Sequence, residues 1–273
     1  MKILALDLEG RRIAFDSDRD FFFREPVLPG SLVKPIALLA IERAQLGGAG
    51  GRVVCPPSDS RVPSVLSCWD HRGHGSIDRS QALAYSCNRF FVERGAEVPP
   101  EIFASTLAAV GLSGGSGARA FPPGERAALW CGVHPEFRCL AAELLTGLLA
   151  AAGEGLWAYS NERLLPVKTR GALIDEWARD PQSRKEVEAA IRDIRRGLEG
   201  TASFGTAKEA RWRWPALVKT GTSPDAADQG TDGWVFVLTP IQKPKTALLL
   251  YRPKSRGKDA WASAVGALAL LHP

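Results

Sequence analysis

Strand-like runs stand at the two ends of this chain, and helix-like runs fill its middle. Ile3–Leu8 and Arg12–Phe15 flank Glu9-Gly10 with apolar alternation on both sides, the pattern of a β-hairpin. Far downstream, Ala216–Thr220, Gly233–Leu238 and Thr246–Tyr251 are short apolar runs bounded by Gly, Pro and Asp, and they read as successive antiparallel strands. Asp259–Leu271 closes the chain as a helix. Strands must pair their backbone groups. The arrangement that satisfies both ends is one sheet built from the two termini, with a helical insertion between them.

The middle supports that reading. Ser31–Leu46 has Ser31 and Pro35 in its first turn, apolar residues at helical spacing, and Gly47–Gly51 to stop it. Residues 52–76 are rich in Pro, Ser and Gly and read as a long loop. Ile77–Tyr85 and Arg89–Arg94 read as two helical pieces either side of Ser86-Cys87-Asn88. Ile102–Val110 and the strongly apolar Cys139–Ala152 follow as helices. Pro181–Leu198 is amphipathic, with Val187, Ala190, Ile191, Ile194 and Leu198 on one stripe. Gly114–Gly117 is loop; no Lys-Ser/Thr follows it and no strand precedes it, so it is not a phosphate loop.

Composition removes several function classes. Lys and Arg number 35 against 30 Asp and Glu, a net +5, but the signs alternate along the chain rather than cluster. A nucleic-acid partner is therefore not expected. No apolar run approaches the ~18–20 residues that span a bilayer. Met1–Leu6 reaches Asp7 before a signal-peptide core forms, so the chain reads as soluble and without an address label. Five cysteines leave at least one outside any intrachain bridge. Cys55 and Cys68 lie in a turn-rich stretch that a disulfide can close. Together with His71 and His74 they also offer four zinc ligands, at a spacing that fits no common finger. Plain thiols are the third option, and no metal or cofactor is assigned.

Three short segments carry the chemistry: Ser31-Leu32-Val33-Lys34, Ser86-Cys87-Asn88 and Lys219-Thr220-Gly221-Thr222. Each alone is weak, but S-x-x-K, Ser-x-Asn and K-T-G in this order are the signature of penicillin-recognising serine enzymes. A serine hydroxyl becomes a nucleophile only when a base takes its proton. Lys34 lies three residues from Ser31 on one helix face and can reach it. Lysine is a base only when neutral, and burial with a second positive charge, here Lys219, lowers its pKa. The Ser86 hydroxyl can relay a proton, and the Asn88 amide can hold Lys34 and a substrate carbonyl. The Ser31 N–H at a helix start and an N–H from the Thr222 strand can form an oxyanion hole. Lys219 and Thr220 present a cation and a hydroxyl to a substrate carboxylate. Of five tryptophans suited to a groove or to packing (Trp130, Trp157, Trp212, Trp214 and Trp234), Trp234 is expected nearest the site.

These motifs and their surroundings resemble the transpeptidase domain of penicillin-binding proteins. Leu4-Ala5-Leu6-Asp7, Gly10 and Ile13-Ala14 resemble that family's opening hairpin, and Leu28–Pro35 its active-serine segment. Gly73–Asp78, Ala82–Ala84 and Ser86–Phe91 resemble the approach to the second motif. Gly200–Ala202, Val218–Ser223 and Asp232–Trp234 resemble the third-motif region. The resemblance implies an α+β fold, a three-layer α/β/α sandwich of β-lactamase and transpeptidase type. In it one domain spans 1–273, with an inserted all-helical subdomain over roughly 47–180. It implies that Ser31 attacks the D-Ala–D-Ala bond of peptidoglycan stem peptides, and that β-lactams acylate the same serine. An amine, or water, then takes the acyl group. The implied catalytic residues are Ser31, Lys34, Ser86, Asn88 and Lys219; Thr220, Gly221 and Thr222 bind substrate. The implied location is the extracytoplasmic face of the envelope, with other cell-wall synthesis proteins as partners. Two alternatives are a non-catalytic β-lactam or wall sensor or scaffold, and a β-lactamase. The latter is disfavoured because no Glu-x-x-Leu-Asn lies between Asn88 and Lys219. The segment Leu156–Arg179 aligns with nothing in the family pattern.

Overall fold

A computed structural model describes residues 1–44, 51–57, 67–113, 121–161, 163–178, 180–209, 215–224 and 230–271. Strands β1 (Lys2–Asp7) and β2 (Arg12–Asp16) form the expected hairpin, followed by α1 (Arg19–Arg24) and the short β3 (Pro26–Val27). A 3-10 turn (Gly30–Val33) leads into α2 (Lys34–Ala44). Next come β4 (Val53–Cys55), β5 (Gly75–Ile77), α3 (Arg79–Ala84), α4 (Asn88–Gly95), α5 (Pro100–Ala109) and α6 (Pro123–Cys131). After these lie β6 (Cys139–Leu140), α7 (Ala141–Ala151), β7 (Leu156–Ser160), β8 (Arg163–Lys168), α8 (Arg170–Trp177) and α9 (Pro181–Ser203). The chain closes with β9 (Leu217–Pro224), β10 (Thr231–Thr239), β11 (Thr246–Arg252) and α10 (Gly257–Leu271).

The sheet joins both ends of the chain. Its order is β7-β8-β2-β1-β11-β10-β9, and every pairing in it is antiparallel. β1 lies between the hairpin partner β2 and the C-terminal β11, with Leu4 opposite Leu249. Both faces of the central strands are covered, so β1, β10 and β11 read as continuous apolar runs rather than alternating ones. Side chains still alternate by position. Ile3, Val218, Val235, Val237, Leu248 and Leu250 pack with Trp261, Ala264 and Leu268 of α10 on one face. Leu4, Leu6, Trp234, Phe236 and Leu249 join the larger core, with Phe21, Phe22 and α2, on the other. This is the expected α+β layering.

Three expectations are corrected. The 52–76 stretch is not wholly loop: β4 and β5 pair within it, Val53 opposite Ile77. The middle of the chain is not all helix, because β7 and β8 extend the main sheet, attached to β2 where Arg12 meets Arg163. That hairpin and α8 together occupy the segment the motifs left unaligned. Cys139 and Leu140 form a short strand against β3 rather than the start of α7. The glycine-rich stretch 114–117 lies outside the described residues.

Two further features place the site. α9 runs five residues beyond its expected end at Leu198, and Asp180 and Ser183 form a capping box at its start. Arg79 on α3 pairs with Glu42 of α2 and, at 2.7 Å, with Asp193 of α9, all mostly buried. α3 is thereby fixed between α2 and α9. Among the described residues, no helix is long and apolar enough to cross a membrane.

Candidate active site

The first motif opens on a turn rather than on an α-helix. Ser31 lies in the 3-10 turn, and α2 starts only at Lys34, whose N–H donates to the Ser31 carbonyl. The two residues still share one turn. Gly30 holds the approach: its φ is +53°, and a Cβ there would stand 2.7 Å from the Thr222 carbonyl oxygen on β9. Only glycine lets the serine turn lie this close to the edge strand. Its N–H donates to Gly132 O at 2.9 Å, anchoring the turn from the opposite side. Ser31 is half-buried, whereas its neighbours Leu32, Val33 and Lys34 are buried.

The second motif joins α3 to α4. Ser86 has φ +53°, a left-handed conformation that a non-glycine residue adopts at a cost of about 1–3 kcal/mol. The turn is held by Ser86 N–H donating to Leu83 O and Cys87 N–H donating to Ala82 O. In return, both oxygens of Ser86 face Lys34. Lys34 Nζ donates to Ser86 O at 2.7 Å, to Ser86 Oγ at 3.3 Å and to Asn88 Oδ1 at 2.6 Å. Asn88 stands at the first position of α4 and turns its other amide atom to Ser67 O at 3.0 Å.

The third motif is on β9, the edge of the sheet. Lys219 Nζ donates to Ser86 Oγ at 3.0 Å and to Thr220 O at 2.6 Å. Ser86 Oγ therefore bridges the two lysines, a pairing that no spacing in the sequence discloses. Gly221 lies directly against Leu32 of the serine turn. The structure thus brings Ser31, Lys34, Ser86, Asn88, Lys219 and Gly221 to one place. The Thr220 and Thr222 hydroxyls, beside Gly221 on β9, are not without protein partners. Thr220 Oγ1 is engaged with Thr206 Oγ1 at 2.5 Å, and Thr222 Oγ1 accepts from Gly257 N–H at 3.0 Å. Lys34 Nζ does not hydrogen-bond Ser31 Oγ among the described residues; its bonds go to the second motif.

Both lysines are wholly buried. Burial holds Lys34 below the ordinary lysine range, and burial together with the charge of Lys34 pushes Lys219 well below it. Two ammonium groups that share one hydroxyl in a dry site disfavour double protonation. The arrangement can therefore accept a proton at Lys34 and pass it along Ser86.

Several neighbours escaped the motif reading. Trp69 Nε1 donates to Tyr85 O at 2.6 Å beside the Ser86 turn, and its ring is exposed. Tyr85 meets Phe204 edge-on at 5.4 Å, and Thr206 reaches the third motif. None of these sits at a diagnostic spacing, so only the folded chain identifies them. Trp234 stands on β10 directly opposite Gly221 of the third motif, as expected; it is 1% exposed, donates to Ser223 Oγ through Nε1 and packs against Phe21 and Tyr251. It supports the strand from within the core rather than lining a groove. Trp130 is likewise buried, whereas Trp212 and Trp214 lie outside the described residues.

With this geometry established, comparison with known proteins is informative. Searching curated proteins finds no match. Among solved structures, penicillin-binding protein PBP2 of Helicobacter pylori in complex with MreC superposes with a TM-score of 0.77 at 18% identity, covering 99% of this chain and 60% of that one. PBP2 of Pseudomonas aeruginosa in complex with WCK 5153 gives 0.71 at 16% identity, covering 98% of this chain and 72% of that one. The transpeptidase domain of Burkholderia pseudomallei penicillin-binding protein 3 gives 0.68 at 14%, covering 100% and 88%. At these identities the likeness shows the fold, and the chain spans 60% of the Helicobacter protein's length. The family model described as penicillin binding protein transpeptidase domain matches residues 9–267. Over nearly its whole length, the chain belongs to the penicillin-binding protein transpeptidase family.

Proposed function

We propose that residues 1–273 act as one peptidoglycan D,D-transpeptidase domain with Ser31 as nucleophile. The observation that carries this reading is the convergence of two buried lysines on Ser86 Oγ beside the Ser31 turn. Neutral Lys34 takes the Ser31 hydroxyl proton as Oγ attacks the carbonyl carbon of a D-Ala–D-Ala amide. The N–H groups of Ser31 and Thr222 receive the oxyanion. The proton moves from Lys34 through Ser86 to the departing amine, which leaves as D-Ala. An acceptor amine, or water, then attacks the Ser31 ester and regenerates the serine. A stem peptide adds alongside the free edge of β9 as a further strand, with Lys219 facing its carboxylate. β-Lactams acylate the same serine.

Structural neighbours include a PBP2–MreC complex and a peptidoglycan synthase complex. We place this domain among cell-wall synthesis proteins on the extracytoplasmic face, by family. The test is release of D-Ala from a peptide ending in D-Ala–D-Ala, with and without a D-amino acid acceptor. We expect release that disappears in Ser31→Ala and an exchanged product when acceptor is present. Release without exchange identifies a carboxypeptidase. No release at all removes the enzymatic reading and favours a sensor or scaffold.

A further inference from the structure

Beside the second motif, four side chains converge that the catalytic reading does not use. The Sγ atoms of Cys55, Cys68 and Cys87 and a ring nitrogen of His74 all lie within 4.8 Å of one another. They come from four separate places: the end of β4, the residue after Ser67, the residue before β5 and the N-cap of α4. Sequence spacing alone hides the set, because the intervals of twelve, five and twelve residues match no finger. Motif reading also treats Cys87 only as the middle of Ser86-Cys87-Asn88.

The backbone is shaped to bring them together. Gly73 has φ +70°, and a Cβ there would lie 2.5 Å from Cys55 O, so only glycine lets this loop fold back on β4. His74 N–H then donates to Cys55 O at 3.0 Å, which sets His74 over Cys55. The ring is clamped by Tyr85, stacked at 4.7 Å, and by Trp69 edge-on at 5.7 Å. Its Nδ1 faces Cys68 Sγ at 3.2 Å, and Cys68 Sγ lies 3.9 Å from Cys87 Sγ. His74 Nε2 is buried with no hydrogen-bond partner among the described residues. Nδ1 is thus the nitrogen turned to the thiols and able to ligate, while Nε2 stays as the ring N–H.

We propose that Cys55, Cys68, His74 and Cys87 form a structural zinc site, three thiolates and one imidazole. Zn–S bonds of about 2.3 Å and a Zn–N bond of about 2.0 Å in a tetrahedron require ligand–ligand edges of ~3.5–3.8 Å. The observed 3.2 and 3.9 Å bracket that value, and small side-chain shifts close the tetrahedron. With all four positions filled by protein, no water position remains, which marks a structural rather than a catalytic site. Binding replaces three S–H protons by three S–Zn bonds, so three protons leave and the centre carries one net negative charge. Affinity therefore falls as pH falls. A disulfide is the competing fate, but an S–S bond of ~2.05 Å takes only two of the three thiols.

The site also bears on the second motif. Cys87 separates Ser86 from Asn88, so a metal held at its Sγ braces the left-handed Ser86 turn from behind. This consequence rests on the function proposed above; the metal site itself does not.

The test uses the full chain purified without chelator under reducing conditions. Elemental analysis should find one zinc per chain. Cobalt substitution should give the intense tetrahedral thiolate spectrum. In Cys55→Ser and His74→Gln zinc should fall at least tenfold, while Cys131→Ser and Cys139→Ser, buried elsewhere, should keep it. Substoichiometric zinc in wild type together with an octahedral cobalt spectrum overturns the proposal. So does zinc retained in Cys55→Ser, or an intact mass lower by two hydrogens with Cys68–Cys87 mapped as a disulfide. If the ligand variants fail to fold, stripping zinc from wild type with a chelator and restoring it should lower and then recover the melting temperature. No shift in melting temperature also counts against the site. A separate arm follows acylation by a fluorescent penicillin, which should slow at least tenfold in the stripped protein. Unchanged acylation with zinc present in wild type leaves the metal and removes its link to Ser86.

Discussion

At the residue scale, the account turns on two lysines kept out of water. Burial lowers both pKa values from the ordinary lysine range, Lys219 further because Lys34 is close. Acylation should therefore rise with pH as Lys34 loses its proton and level off below the ordinary lysine pKa of about 10.4; a pH series of acylation rates measures this. Lys34→Arg keeps the charge but cannot shed a proton, so the rate should fall at least a hundredfold. The same shifts bear on stability. A folded-state pKa below the unfolded value means the unfolded chain binds more protons between the two. Stability from this pair is thus reduced at neutral pH and recovers as pH rises toward 10.4. Lys219→Met removes a buried charge, so thermal melting at pH 7 should be no lower than wild type although acylation is lost. These residues were legible in the sequence because their spacing is diagnostic. The bridging role of Ser86 Oγ was not, since it depends on φ +53° at Ser86 and on β9 bringing Lys219 to the α3–α4 turn.

At the scale of elements, placement of the motifs rests on a few contacts across the fold. Arg79 ties α3 to Glu42 and Asp193 in a mostly buried set. Arg79→Met should cost about 3 kcal/mol in denaturant unfolding, since it strands the mostly buried Glu42 carboxylate and leaves Asp193 with Arg196 alone, and it should loosen the Ser86 turn. Gly30 spaces the serine turn from β9. Gly30→Val should lower stability by about 2 kcal/mol and slow acylation at least tenfold, because the side chain meets Thr222 O. Element types were largely legible here: continuous apolar runs gave β10 and β11, and a 3.6-residue stripe gave α9. β7 and β8 were not, because their burial is partial and uneven, with Leu165 and Val167 exposed. The 3-10 turn at Ser31 is not distinguishable in the sequence from an α-helix start, because a serine before Pro35 suits either.

At the scale of the whole molecule, the strand–helix–strand order of the sequence becomes one sheet whose edge strand carries the third motif. Joining the ends places β9 against the Ser31 turn, although Lys219 and Ser31 are 188 positions apart, through β1 paired to β11, β11 to β10 and β10 to β9. That closure was legible, since apolar strands at both termini have few other partners. Which loops approach one another was not, and this explains why the cysteine–histidine cluster needed the folded chain. The most direct test of the central claim is intact-mass analysis after incubation with a fluorescent penicillin, followed by peptide mapping. The account predicts a single long-lived adduct on Ser31 that is absent from Ser31→Ala. No adduct, or an adduct on another residue that survives Ser31→Ala, contradicts it.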